Sequence, residues 1–216
     1  MPVFFIDSAD RKKVTALLGT GLFGGVTTNP AILEKSGLGS KDIPDYVKWA
    51  TDAGARQVFA QSWGATTAEI VDRGEEIRSL GPNVTVKVPA SREGIEAARL
   101  LSVGGSVLVT AVYSATQVLP IMASGATYLA PFVGRMISSG RLGVEEVTVM
   151  QRAIEASGSP LQVLAGSLRT PEQVLALAVA GVQNMTFGPD VWDLFFNDEL
   201  TAASVTQFEE LATSST

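Results

Sequence analysis

Residues 83–91 read N-V-T-V-K-V-P-A-S. Val84, Val86 and Val88 share one face of an extended segment, and Thr85 and Lys87 share the other, because successive strand side chains point to opposite sides. An ammonium inside an apolar strand has two explanations. Either it sits at a sheet edge and reaches water, or it is buried because its chemistry requires burial. The all-valine face needs a cover of helices, which sends Lys87 the other way.

The same pattern recurs along the chain. Eight short strand-like runs are expected near 3–7, 25–29, 57–62, 84–89, 107–112, 128–133, 161–167 and 184–188, each followed by a helix-like segment. The helix starts carry their own signals. Asn29-Pro30 reads as N-cap and first helical residue, and Ser91 as a cap for a helix over 92–103. That helix places Ile95, Ala98 and Leu101, with Leu100, on one side. Thr170-Pro171-Glu172-Gln173 reads as a capping box with proline at N1. Eight β/α units without a composition break predict an α/β fold, a single (β/α)8 TIM barrel over 1–200. A further C-terminal helix is expected over 201–213, with an apolar stripe of Val205, Phe208, Leu211 and Ala212 and a short polar tail to 216. It either packs over one end of the barrel or docks on a neighbouring subunit.

Composition narrows the chemistry. The 216 residues are 46% hydrophobic and 18% charged, enough for one large core. There is no cysteine and no histidine, which excludes disulfides, thiolate nucleophiles and the commonest metal ligands. No metal site is expected. Acid–base work falls to Asp, Glu, Lys, Tyr or water. The net charge of −6, with no basic cluster beyond Arg11-Lys12-Lys13, argues against nucleic-acid binding. No window approaches the roughly 18 uninterrupted apolar residues of a membrane helix, and the N-terminus lacks the order of a secretory signal. The expectation is a cytoplasmic protein without a membrane partner.

Parity along each strand places Asp7, Asn29, Gln61, Lys87, Thr110, Phe132 and Ser167 as the last inward residues. Six of these seven are polar, at the C-terminal rim where such barrels carry their active sites. A buried polar group without a partner costs roughly 1–3 kcal/mol, so convergence on one rim is hard to explain by stability. Burial lowers a lysine pKa, by up to ~3–5 units when complete, and a neutral amine attacks carbonyls. Each residue alone has a plain reading: a strand-edge lysine, an aspartate or asparagine capping a helix, a structural glutamine or threonine, two solvated arginines. Their common location favours chemistry. Ser167 and Arg169 stand before a helix N-terminus, and with Arg135 they form a candidate pocket for a phosphate monoester. The other lysines, at 12, 13, 35, 41 and 48, lie in polar or helix-surface contexts.

The stretches FFIDSAD, GVTTNPAIL, VTVKVPAS-REG, TAVYSATQ, YLAPFVGR and LAGSLRTP resemble, in order and spacing, the small transaldolase and fructose-6-phosphate aldolase family over nearly the whole chain. The resemblance implies a cofactor-free barrel enzyme working through a lysine Schiff base. Lys87 would attack the C2 ketone of a ketose phosphate, and Asp7 would take the C4 hydroxyl proton. Asn29 and Ser167 would hold the dihydroxyacetone hydroxyls, with Thr27 of the same TTNP stretch in the substrate-binding set. Gln61 and Thr110 would position the water of imine formation and hydrolysis. Arg135 and Arg169 would bind phosphate. Phe132 matches the transaldolase branch, where the aldolase branch has tyrosine; Gln61 matches the aldolase branch, where transaldolases usually have glutamate. Phe132 sits nearer the proton-delivery step, so transfer of a dihydroxyacetone unit between sugar phosphates is expected. Release of free dihydroxyacetone is the alternative, and a non-catalytic sugar-phosphate-binding barrel the third. The resemblance also implies a homo-oligomer, built from pentamers into decamers, with the C-terminal helix reaching across subunits.

Overall fold

The computed structural model describes residues 2–214. Eight strands, β1 (Val3–Asp7), β2 (Phe23–Thr27), β3 (Gln57–Gln61), β4 (Val84–Pro89), β5 (Val107–Val112), β6 (Tyr128–Pro131), β7 (Gln162–Leu168) and β8 (Asn184–Phe187), pair in sequence order. All neighbours are parallel, and β8 pairs back onto β1, so the sheet closes. Helices follow the strands, giving the (β/α)8 barrel expected from the sequence.

Closure creates two apolar compartments. Val84, Val86 and Val88 join the large core between sheet and helices. Inside the barrel Phe5, Phe59, Leu108, Ala130, Phe132 and Leu164 form a separate cluster, with Phe5 edge-on to Phe59 at 5.2 Å. Below it a polar ladder fills the N-terminal end: Gln57 Nε2 donates to Thr85 Oγ1 at 2.8 Å, and Thr85 donates on to Ser106 Oγ at 3.2 Å. This ladder crosses the interior at the N-terminal end, away from the C-terminal strand ends where barrels of this kind carry their sites.

Several helix starts follow the sequence signals. Asn29 Oδ1 accepts from Ile32 N at 3.1 Å at the head of the helix Pro30–Lys35. Ser91 Oγ accepts from Gly94 N at 3.0 Å to cap Arg92–Leu101. On that helix Ala97, Ala98 and Leu101 are buried, whereas Leu100 turns to solvent. Gly94 is required there, because a Cβ would collide with the Pro89 carbonyl at the end of β4. At Pro171–Val179 the expected capping box is only half made. Thr170 Oγ1 accepts from Gln173 N, but Gln173 Oε1 accepts from Arg169 N, one residue earlier than a box would have it.

The C-terminal helix runs Glu199–Ser214 and buries none of its residues. Val205, Phe208 and Leu211 are 48%, 65% and 59% exposed, so the helix does not pack over an end of its own barrel. Thr213 and Ser214 of the polar tail complete this helix; residues 215 and 216 of that tail lie outside the described residues. Among the described residues no helix is long and apolar enough to cross a membrane.

Candidate active site

Lys87 is 4% exposed and lies in register with Gln61 on β3 and Leu108 on β5. Its Nζ donates to the Thr28 carbonyl at 2.7 Å, just past the end of β2. Burial holds its pKa down to about 8, against the pull of the Asp7 charge, which raises it. This lysine points into the barrel and not out among the helices.

Asp7 ends β1. Burial pushes its carboxyl above the usual aspartate range, opposed by Lys87, by the Thr27 hydrogen bond and by Arg135. Thr27 Oγ1 donates to Asp7 Oδ1 at 2.6 Å and lies 2.6 Å from Thr186 Oγ1. A hydroxyl has one proton. With the Thr27 proton given to Asp7, Thr186 must donate to Thr27, and a file of hydrogen bonds runs from β8 through β2 to the carboxylate. If Asp7 gains a proton the file can reverse. Just beyond Asp7, Tyr46 Oη donates to the Ser8 carbonyl at 3.0 Å and ties down the exit of β1.

Asp7, Thr27, Asn29, Lys87, Phe132, Arg135, Ser167 and Thr186 line one cavity of about 230 Å³ at the barrel mouth, walled by Leu108, Ala130 and Leu164. Asn29 spends Oδ1 on its helix cap, so its Nδ2 is what it offers a ligand. Ser167 arrives by an unexpected route. Alternation along β7 puts Gln162, Leu164 and Gly166 inward, and Ser167 should then face the helices. Its φ of 57° and a register shift between Ala165 and Leu168 turn it back to the mouth. Ala111, with φ of 60°, marks a similar break between Thr110 and Val112 on β5. These are the only two non-glycine residues with positive φ among the described residues, and both lie at the C-terminal ends of barrel strands.

The two arginines are set by their neighbours. Arg135 stacks its guanidinium over the Phe132 ring, 4.8 Å from the centroid, and lies 3.4 Å from Tyr113 Oη. Arg169 Nη1 donates to Ser138 Oγ at 2.7 Å, and its stem crosses Gly134, where a Cβ would strike the Ser167 carbonyl. Gly134 thereby lets the two arginine-bearing loops touch. Arg169 lines an adjoining cavity of about 500 Å³ that shares Asp7, Ile32 and Lys35 with the first.

Besides Arg169, in the adjoining cavity, two further expected site residues sit apart from this one. Gln61 lines a neighbouring, more apolar cavity with Thr28, Asn29 and Trp63. Thr110 is buried, and its Oγ1 has no hydrogen-bond partner among the described residues. Three residues of the mouth are not legible in the sequence: Thr186, in an apolar run; Tyr113, just past β5; and Lys35, which reads as helix surface. A cavity of about 730 Å³ at the opposite end holds Arg56 and Arg78, but Arg78 is committed to Glu75 and to the Leu101 carbonyl. The smaller cavity is the one with a shifted amine beside a shifted carboxyl, a pattern typical of catalytic sites.

Comparison with known proteins adds to this geometry. The model of the family described as transaldolase/fructose-6-phosphate aldolase matches residues 4–216. The chain is similar to a probable transaldolase of Cereibacter sphaeroides, 32% identical over 207 residues, covering 95% of this chain and 93% of the relative. It is also similar to probable transaldolases of Methanococcus maripaludis, 33% identical with 95% and 94% covered, and Geobacillus kaustophilus, 31% identical with 95% of each covered. In fold it resembles dihydrodipicolinate synthase from Rhodopseudomonas palustris, with a TM-score of 0.62 at 16% identity, over 88% of this chain and 72% of that one. A flavocytochrome b2 variant with sulfite bound shares the fold at a TM-score of 0.60 and 14% identity, over 86% and 56%. The last two likenesses concern the barrel alone.

Proposed function

This chain belongs to the transaldolase/fructose-6-phosphate aldolase family, and from that premise we propose that it transfers a dihydroxyacetone unit from a ketose phosphate to an aldose phosphate through an imine on Lys87. The neutral Lys87 amine adds to the C2 ketone, and loss of water leaves an iminium. Asp7 takes the C4 hydroxyl proton as the C3–C4 bond breaks. The bonding pair flows into the iminium to give an enamine, and an aldose phosphate departs. An acceptor aldehyde then takes up the enamine carbon, Asp7 returns the proton to the new alkoxide, and water hydrolyses the imine. Donors of this kind are fructose 6-phosphate and sedoheptulose 7-phosphate.

The observation that carries the reading is the pairing of a buried, pKa-depressed Lys87 with the Asp7 carboxyl in one cavity. Ser167 and Arg135 in that cavity, with Arg169 in the adjoining one, suit a phosphate dianion. We assign the water of imine formation and hydrolysis to Thr110, whose Oγ1 keeps a free hydrogen-bonding capacity although it does not line the cavity. Phe132 brings no hydroxyl to the enamine, which favours transfer over protonation and release; Gln61 remains the feature that favours release. Product analysis separates the two. Fructose 6-phosphate should give sedoheptulose 7-phosphate when erythrose 4-phosphate is added, and little free dihydroxyacetone without it. Free dihydroxyacetone at a matching rate would make the protein an aldolase.

The exposed stripe of Val205, Phe208 and Leu211 supports association with further copies of the chain. Mutating all three to serine should lower the mass measured by light scattering; an unchanged mass would remove the helix from the interface.

A further inference from the structure

Lys35 stands in the last turn of the helix Pro30–Lys35 and lines both the cavity that holds Lys87 and the adjoining one that holds Arg169. The face it belongs to is fixed by helical spacing. Ala31 and Lys35, four apart, are neighbours on one side, and Ala31 and Ile32 line the Lys87 cavity with it. Long helical side chains lean toward the helix N-terminus, and this N-terminus opens at the exit of β2, beside Thr28 and Asn29. The ammonium is therefore carried toward the mouth. The helix is held in place by the Asn29 cap and by buried Leu33.

The cations around the mouth differ in freedom. Arg135 is stacked on Phe132 beside Tyr113 Oη, and Arg169 is bound to Ser138. Lys13 is paired with Asp190 at 2.8 Å. Lys35 makes no ion pair among the described residues, although its charge is felt at Asp190, already held by Lys13. An unpaired ammonium on a flexible four-carbon stem, next to two pinned guanidiniums, is suited to an anion whose position varies.

The proposed reaction supplies such an anion, and this inference rests on that reading. Lys87 fixes C2 of every donor. A seven-carbon ketose phosphate then carries its phosphate one C–C bond further out than a six-carbon one. Erythrose 4-phosphate likewise extends one bond beyond glyceraldehyde 3-phosphate. We propose that Lys35 is the third phosphate-binding cation, the movable one, and that it sets tolerance for the longer substrates by meeting their phosphate at the junction of the two cavities.

The test compares wild type, Lys35→Gln and Lys35→Arg with sedoheptulose 7-phosphate and fructose 6-phosphate as donors, measuring KM and kcat separately. Loss of one charge-assisted contact should raise KM for the seven-carbon donor roughly tenfold, with a clearly smaller rise for the six-carbon donor. Lys35→Arg should restore most of the difference, which a merely structural role would not do. An equal rise for both donors, no rise, or a fall in kcat with KM unchanged would overturn the inference. Wild type failing to turn over either donor would instead overturn the functional reading on which it rests.

Discussion

Lys87 Nζ and the Thr28 carbonyl oxygen lie 2.7 Å apart, so the amine on β4 is anchored to backbone at the exit of β2. A carbonyl accepts from ammonium and amine alike, so it orients the nitrogen without fixing its charge. Burial decides the charge. The drop from 10.5 to about 8 sets an upper bound of roughly 3 kcal/mol on the destabilisation from keeping this group charged in the fold. Below pH 8 both folded and unfolded chains are protonated and the penalty is complete. Between 8 and 10.5 only the unfolded chain holds the proton, so stability climbs with pH and the penalty is gone above 10.5. Lys87→Met should therefore stabilise the protein at pH 7 by about 1–3 kcal/mol while abolishing turnover, read by urea denaturation. A destabilised variant would mean that the ammonium is better accommodated than its burial implies.

Asp7→Asn keeps the shape and the Thr27 contact but removes the base. Cleavage of fructose 6-phosphate should fall by about 10²–10⁴-fold, while imine formation with dihydroxyacetone, which needs no C4 proton transfer, falls far less. Equal losses in both steps would give Asp7 a structural part only.

Thr110→Val separates a structural hydroxyl from a working one. Its Oγ1 is buried without a partner among the described residues, so an apolar isostere should cost nothing or stabilise by about 1 kcal/mol. Single-turnover imine formation and hydrolysis should slow by about tenfold or more if that oxygen orients the reacting water. Unchanged kinetics would remove it from the site.

Gly134→Ala forces a methyl against the Ser167 carbonyl and the Arg169 side chain. The arginine-bearing loops must part, at about 1–3 kcal/mol of stability. KM for ketose phosphates should rise while trapping of phosphate-free dihydroxyacetone is retained; loss of both would point to collapse of the whole rim.

Much of this was legible because strand parity and burial speak through residue type. Three valines on one face of residues 84–88 send Lys87 inward, and the same rule puts Asp7 in its cavity; it also selects Gln61 and Thr110, which do not line that cavity. Parity failed where backbone leaves the extended region. Ser167 reaches the mouth through a positive φ that no glycine announces, so its correct placement came from a rule that does not hold there. Thr186 was hidden because a threonine in an apolar strand reads as filler until its partner across the closure, Thr27, is known. Lys35 is illegible because a lysine in a helix reads as solvated; only the geometry of the short helix at the β2 exit brings it to the rim. The C-terminal helix was visible from its stripe, but what covers that stripe is not encoded within one chain.

In the proposed reaction a single buried amine, that of Lys87, captures the substrate ketone. Borohydride reduction with fructose 6-phosphate, followed by peptide mass spectrometry across pH 6–10, tests it most directly. One adduct should form, on Lys87, faster as pH rises through about 8 and levelling off above it, as the neutral amine comes to dominate. An adduct on another lysine, none at all, or a rate that keeps climbing toward pH 10 would contradict it.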